Sequence, residues 1–118
     1  MRGSYSMKEN DVLIDHRTYR ARPGRLKPQL DLYAKHGLAI QESYLGEPFA
    51  YLQCESGELN SIVHLWRYDD VTDRARKRAA MFADPKWQEW LKLQADADNL
   101  VSQSNNLMVP TSFWSPKR

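Results

Sequence analysis

His64 is the residue of this sequence best placed for chemistry near neutral pH, because an unperturbed imidazole titrates there. It lies in NSIVHLWRYDD, residues 60–70. Read with a strand's period of two, Ser61, Val63, Leu65 and Arg67 share one face. Ile62, His64, Trp66 and Tyr68 share the other, and three of these are rings with a polar atom to satisfy. A strand over residues 12–21 places Leu13, Asp15, Arg17 and Tyr19 on one face, opposite Val12, Ile14, His16 and Thr18. A candidate site follows. His64 is the general acid/base, Asp15 orients or charge-stabilises it, and Arg17 or Tyr19 polarises a substrate oxygen. The same residues also suit a buried hydrogen-bond network, since buried polar groups must be paired whatever the function. In an enclosed site Arg17 needs a carboxylate, either Asp15 or a ligand's own acid. Asp15 is the favoured partner, because an empty cavity must also be stable.

Other chemistries find little support. His16, His36 and His64 lack the short spacings that place metal ligands together, so no metal or other cofactor is expected. Cys54 has no sequence-local activating partner and reads as inert. There is no Gly-rich phosphate loop and no Ser-centred nucleophile elbow. DRARKR, residues 73–78, could attract an anion, but its acids balance much of the charge and it reads first as a solvated helix face, with Arg78 near the stripe edge and able to bond inward to an acidic group. Trp87 and Trp90 read as core anchors.

These residues need elements to hold them. At 118 residues the chain has room for one domain and one core. With 42% hydrophobic and 27% charged residues it has globular composition, and 17 basic against 15 acidic residues argues against a nucleic-acid partner. No apolar run approaches the roughly 20 residues of a membrane span. A single cysteine and no apolar signal stretch point to a reducing, cytoplasmic setting. Residues 1–11 read as a flexible N-terminal segment, with Met1 to Ser4 an added leader and Met7 the natural start; residues 12–114 form the domain and 115–118 a tail.

After the first strand, RPG marks a turn, and Leu26, Leu30, Tyr33 and Ala34 form a helical stripe that stops at Gly37. Residues 38–44 and 49–54 read as strand segments, the second pairing with residues 60–68 as a hairpin. Val71, Ala75, Ala79 and Phe82 form the stripe of the next helix, with Asp70–Arg74 and Asp73–Lys77 pairs on its surface. Asp84 and Pro85 begin a further helix over residues 84–101, anchored by Trp87, Trp90 and Leu91. A last edge strand lies near residues 107–109. The order is close to β-α-β-β-α-β, an α+β fold with helices on one face of an antiparallel sheet. Its other face, assigned the Trp66 and Tyr68 rings, is too apolar for a monomer, so a second copy is expected to cover it.

The ordered set IDHRTYRARPG, SIVHLWRYDDVTDRARKR, ADPKWQEW and SFWSP resembles the NIPSNAP family, within the dimeric α/β-barrel superfamily, over about residues 12–114. Asp15 stands where the family pattern has glutamate. The resemblance implies a ferredoxin-like subunit, neighbouring first and third strands, and two sheets enclosing a cavity. The chain resembles a single bacterial-style domain, and the row His64, Trp66 and Tyr68 adds the expectation of a small, partly apolar or aromatic molecule bound between the sheets, with Ile62, Trp66 and Tyr68 in the wall. Cofactor-independent acid/base or monooxygenase-type chemistry is open to it. So is the alternative of a non-catalytic interaction module whose aromatic face serves dimerisation alone. Fold relatives include monooxygenases, haem-degrading enzymes and isomerases, so fold does not select among them.

Overall fold

The structure, a computed structural model, describes residues 12–116; the N-terminal segment and the last two residues lie outside them. The elements run β1 (Leu13–Ala21), α1 (Leu26–His36), α2 (Leu38–Leu45), β2 (Ala50–Gln53), β3 (Ser61–Tyr68), α3 (Val71–Ala83), α4 (Pro85–Ala97) and β4 (Leu100–Met108). The sheet has the order β2-β3-β1-β4, and every neighbouring pair is antiparallel. This is the expected ferredoxin-like α+β fold, with β1 and β3 side by side at its centre.

The expected face-sharing holds, but the side it meets does not. Leu13, Trp66 and Tyr68 pack into the core with Leu45 of α2, Met81 of α3 and Trp87 and Trp90 of α4. The ring-bearing face therefore meets the chain's own helix layer, and no second copy is needed to cover it. Ile14, Val63 and Leu65 occupy the open face instead, and are half-buried there. The physical reason lies in volume and polarity. Large rings fill the wide gap between a sheet and its helices, and those helices are not uniformly apolar on their inner side.

Helix α3 supplies much of that polarity. Its expected apolar stripe is reversed: Val71 and Phe82 are exposed, while Met81 is buried and Asp73 is buried with it. Arg74 abandons the expected surface pair with Asp70 and turns inward, whereas Asp73 and Lys77 do pair, at 3.2 Å. The Asp70 side chain caps the helix by accepting from the Asp73 amide at 2.7 Å. Helix α4 starts as expected, with the Asp84 carboxylate accepting from the Lys86 amide and Pro85 in the first turn.

Three further elements differ from the expected reading. Residues 38–45 form a helix, α2, because Leu45 and Gln41 are buried at helical spacing and Ile40 and Tyr44 lean on the core. Gly37 makes this possible. Its φ of −111° suits any residue, but a Cβ there would lie 2.8 Å from the Trp90 ring and 2.9 Å from Tyr33. Helix α4 ends at Ala97 rather than at 101, because Asp98 takes a left-handed φ of 52° and is held by Arg22, which donates to its carbonyl at 3.0 Å. The following nine residues form β4, longer than expected; its exposed, Ser- and Asn-rich composition carries no apolar alternation to read.

Candidate functional site

On β1 and β3 the register sets Arg17 opposite His64 and Asp15 opposite Trp66. Asp15 is fully buried, and its carboxylate accepts from Arg17 Nη1 at 3.3 Å, Arg74 Nε at 3.1 Å and Asn105 Nδ2 at 3.0 Å. Strands β1 and β4 and helix α3 thus converge on one anion. Arg17 also donates from Nε to the Tyr19 hydroxyl at 3.0 Å. Burial opposes the charge of Arg17, yet Tyr19 and Asp15 outweigh it and hold the guanidinium above its ordinary pKa. The expected Arg17–Asp15 pair is present. The expected Asp15–His64 pair is not: Asp15 spends its oxygens on two guanidiniums and an amide, and no hydrogen bond joins it to His64 among the described residues.

His64 sits instead inside a cage of rings. The centroids of Tyr19, Tyr33 and Tyr51 lie 5.1, 5.0 and 4.8 Å from its own, and its Nδ1 is buried without a partner among the described residues. Burial, followed by the nearby Arg17 charge, lowers its pKa to about 4. An imidazole with that pKa is neutral at pH 7 and cannot act there as a ready proton donor. Burial raises the phenols of Tyr33 and Tyr51, so both stay protonated. The Tyr33 hydroxyl donates to Gln41 at 2.6 Å and that of Tyr51 to Glu42 at 2.8 Å, tying α1, α2 and β2 around the imidazole.

A cavity of about 320 Å³ opens between this face of the sheet and the helix layer. Arg17, Tyr19 and His64 reach its wall from the sheet, and Arg78, Trp87 and Gln94 from the helices. Three of the four candidate catalytic residues are therefore together on one surface, with Asp15 behind Arg17 as its counter-ion. Trp66, Tyr68 and Ile62, expected in the cavity wall, are core residues at 0%, 1% and 4% exposure and do not line it. Arg78 and the α4 side chains are the part that strand alternation could not reveal. Trp87 and Trp90 are both anchors and wall. The cavity lies within one chain rather than between two sheets.

The remaining candidates are inert or isolated. The Cys54 thiol donates to the Ser56 carbonyl at 2.9 Å. Among the described residues no group of three or more His, Cys, Asp or Glu side chains could hold a metal ion, and no helix is long and apolar enough to cross a membrane.

Comparison with known proteins places this architecture. A NipSnap homolog of Dictyostelium discoideum is 36% identical over 89 residues, covering 75% of this chain and 39% of that protein. The human NipSnap homolog 3A is 28% identical, covering 66% of this chain and 31% of that protein. The chain thus spans less than two fifths of these longer relatives. Solved structures match along nearly their full length. An uncharacterized NIPSNAP-like domain protein from Burkholderia xenovorans superposes with a TM-score of 0.80 at 36% identity, covering 89% of this chain and 90% of that one. A NIPSNAP family protein of unknown function from Agrobacterium tumefaciens gives 0.82 at 34% identity, covering 91% and 95%. A protein from Nitrosomonas europaea, named as a candidate antibiotic biosynthesis monooxygenase, gives 0.59 at 12% identity over 86% and 91%, a likeness of fold alone. The NIPSNAP family model matches residues 14–116, and with nearly the whole chain inside that match, the chain belongs to the NIPSNAP family.

Proposed function

We propose that the protein is a small-molecule-binding module whose ligand, partly aromatic or apolar, occupies the cavity between the sheet and the helix layer. The observation that carries this reading is a pair of buried polar atoms on residues of the wall, His64 Nδ1 and Trp87 Nε1, that have no partner among the described residues. Burying such groups unpaired costs free energy, and a ligand that hydrogen-bonds them recovers it. The volume, about 320 Å³, falls at the small end of ligand pockets, which run from roughly 300 to 1,000 Å³. His64 holds the ligand in this reading rather than shuttling protons, because its low pKa keeps it neutral. Titration with phenol, followed through the indole N–H resonances, tests it. The Trp87 signal shifts and saturates while that of the exposed Trp114 stays put; no saturable shift at Trp87 overturns the reading.

The same proposal includes a homodimer formed through the open face of the sheet. Ile14, Val63 and Leu65 at its centre are half-buried, and Leu52 and Met108 beside them are 53% and 50% exposed. His16, on that face, has a buried Nδ1 without a partner among the described residues. A second copy covering these side chains removes a contiguous apolar surface from water, which two-fold symmetry accomplishes with one patch. Sedimentation at micromolar concentration gives the dimer mass if this holds and the monomer mass if it does not. A reducing, cytoplasmic setting, resting on the single free cysteine, completes the reading.

A further inference from the structure

Helix α3 carries four cations within residues 74–78, and three of them have acids. Arg74 donates to Asp15 at 3.1 Å, Arg76 to Asp73 at 2.7 Å, and Lys77 lies 3.2 Å from the other Asp73 oxygen. Arg78 has no acidic partner among the described residues, although it lines the cavity. Its guanidinium carbon lies 5.3 Å from the centroid of the Phe82 ring. Burial raises the Tyr68 phenol, and part of the Arg78 guanidinium faces that hydroxyl and favours its ionised form against the burial. A guanidinium over a ring has five N–H donors, and those left over fit a planar carboxylate through two parallel hydrogen bonds.

The charges around the cavity point the same way. Among the described residues Arg17 and Arg78 are the only charged side chains on its wall, and no aspartate or glutamate lines it. Behind the wall, Asp15 is one carboxylate shared by two guanidiniums, Arg17 and Arg74. The surplus is positive, beside the Phe82 and Trp87 rings, which meet edge to face at 6.2 Å with Trp87 buried and Phe82 open to solvent.

We infer that the ligand is a small aromatic carboxylate, its acid group received by the edge of Arg78 and its ring lying against Phe82 and Trp87. This rests on the cavity reading above and adds to it the chemical class of the ligand. A carboxylate is favoured over a phosphate because the rest of the described wall is rings, leucines and amides, which suit a single planar anion on an apolar body. The test compares benzoate with its neutral analogue benzyl alcohol by calorimetry at low salt, in the native sequence and in Arg78→Gln. Circular dichroism confirms that the variant is folded, and Arg78→Lys asks whether charge without the planar fork suffices.

Benzoate is expected to bind about tenfold more tightly than benzyl alcohol, and Arg78→Gln to erase that preference while keeping the weaker alcohol binding. Equal binding of the two by the native protein would leave the cavity reading standing and overturn the acid. A benzoate preference that survives in Arg78→Gln would overturn Arg78 as the group that receives the acid. Inorganic phosphate displacing benzoate at equal concentration would also overturn the aromatic acid, in favour of a bare oxyanion. If neither benzoate nor benzyl alcohol binds, the cavity reading falls and this inference falls with it.

Discussion

Asp15 of β1 accepts a hydrogen bond from Arg74 Nε of α3 at 3.1 Å, which ties the middle of the sheet to the helix layer through a fully buried carboxylate. Arg17 and Arg74 keep 16% and 22% exposure, so water relieves part of their charge but none of that on Asp15. Asp15→Asn preserves the shape and removes the charge that both guanidiniums share. It is expected to lower stability by about 3 kcal/mol, the lower end for a broken buried pair. A shift of the urea midpoint at unchanged slope measures this. Arg74→Met costs less, and the double variant costs less than the sum, because both substitutions remove one interaction.

Gly37→Ala tests the close approach of α1 and α2 to α4. Alanine suits the φ of −111°, so the backbone raises no objection. The added methyl would sit 2.8 Å from Trp90 and 2.9 Å from Tyr33, both held in the packed layer beneath. Overpacking of this kind costs about 1–3 kcal/mol, outweighing the ordinary preference for alanine over glycine near helices. A melting temperature equal to or above that of the native sequence would contradict the geometry.

His64 makes stability depend on acid. Its folded pKa of about 4 lies below the ordinary 6.5, so between those values the unfolded chain binds a proton that the folded chain refuses. Stability therefore falls as pH drops from about 6.5 to about 4 and levels off below, a loss of about 3 kcal/mol across the window. In His64→Gln this part of the slope disappears, while the carboxylate contributions at lower pH remain. Denaturant midpoints at pH 4.5 and pH 7 in both proteins decide it, and identical differences would show that His64 is not the group responsible.

The two sides of β3 should answer differently to the same charge. Leu65→Asp on the open face is expected to give a folded monomer, with the far-ultraviolet spectrum retained and the sedimentation mass halved. Trp66→Asp places an unpaired charge at a position with no exposure and costs several kcal/mol, so that variant unfolds. A Leu65→Asp protein that sediments like the native one would remove the open face as the dimer surface.

Much of this architecture was legible from single residues. Asp84 followed by Pro85 marked the start of α4, and alternation put Asp15, Arg17 and Tyr19 on one face and His64, Trp66 and Tyr68 on one face. Alternation is a relative statement, however: it says which side chains point together and not which way. A helix layer of uniformly apolar side chains would leave no place for Arg17, but α3 turns Arg74 and Arg78 inward, so the polar face meets the helices. Leu38–Leu45 shows the same limit, since its short apolar run suits a strand or a helix until Gly37 seats it on Trp90. The sequence alone determined the elements that its local periods and caps spell out, and the family to which their order belongs. Tertiary structure decided the site, because Asp15 meets Arg74 across 59 residues and Asn105 across 90, and no local pattern encodes contacts at that separation.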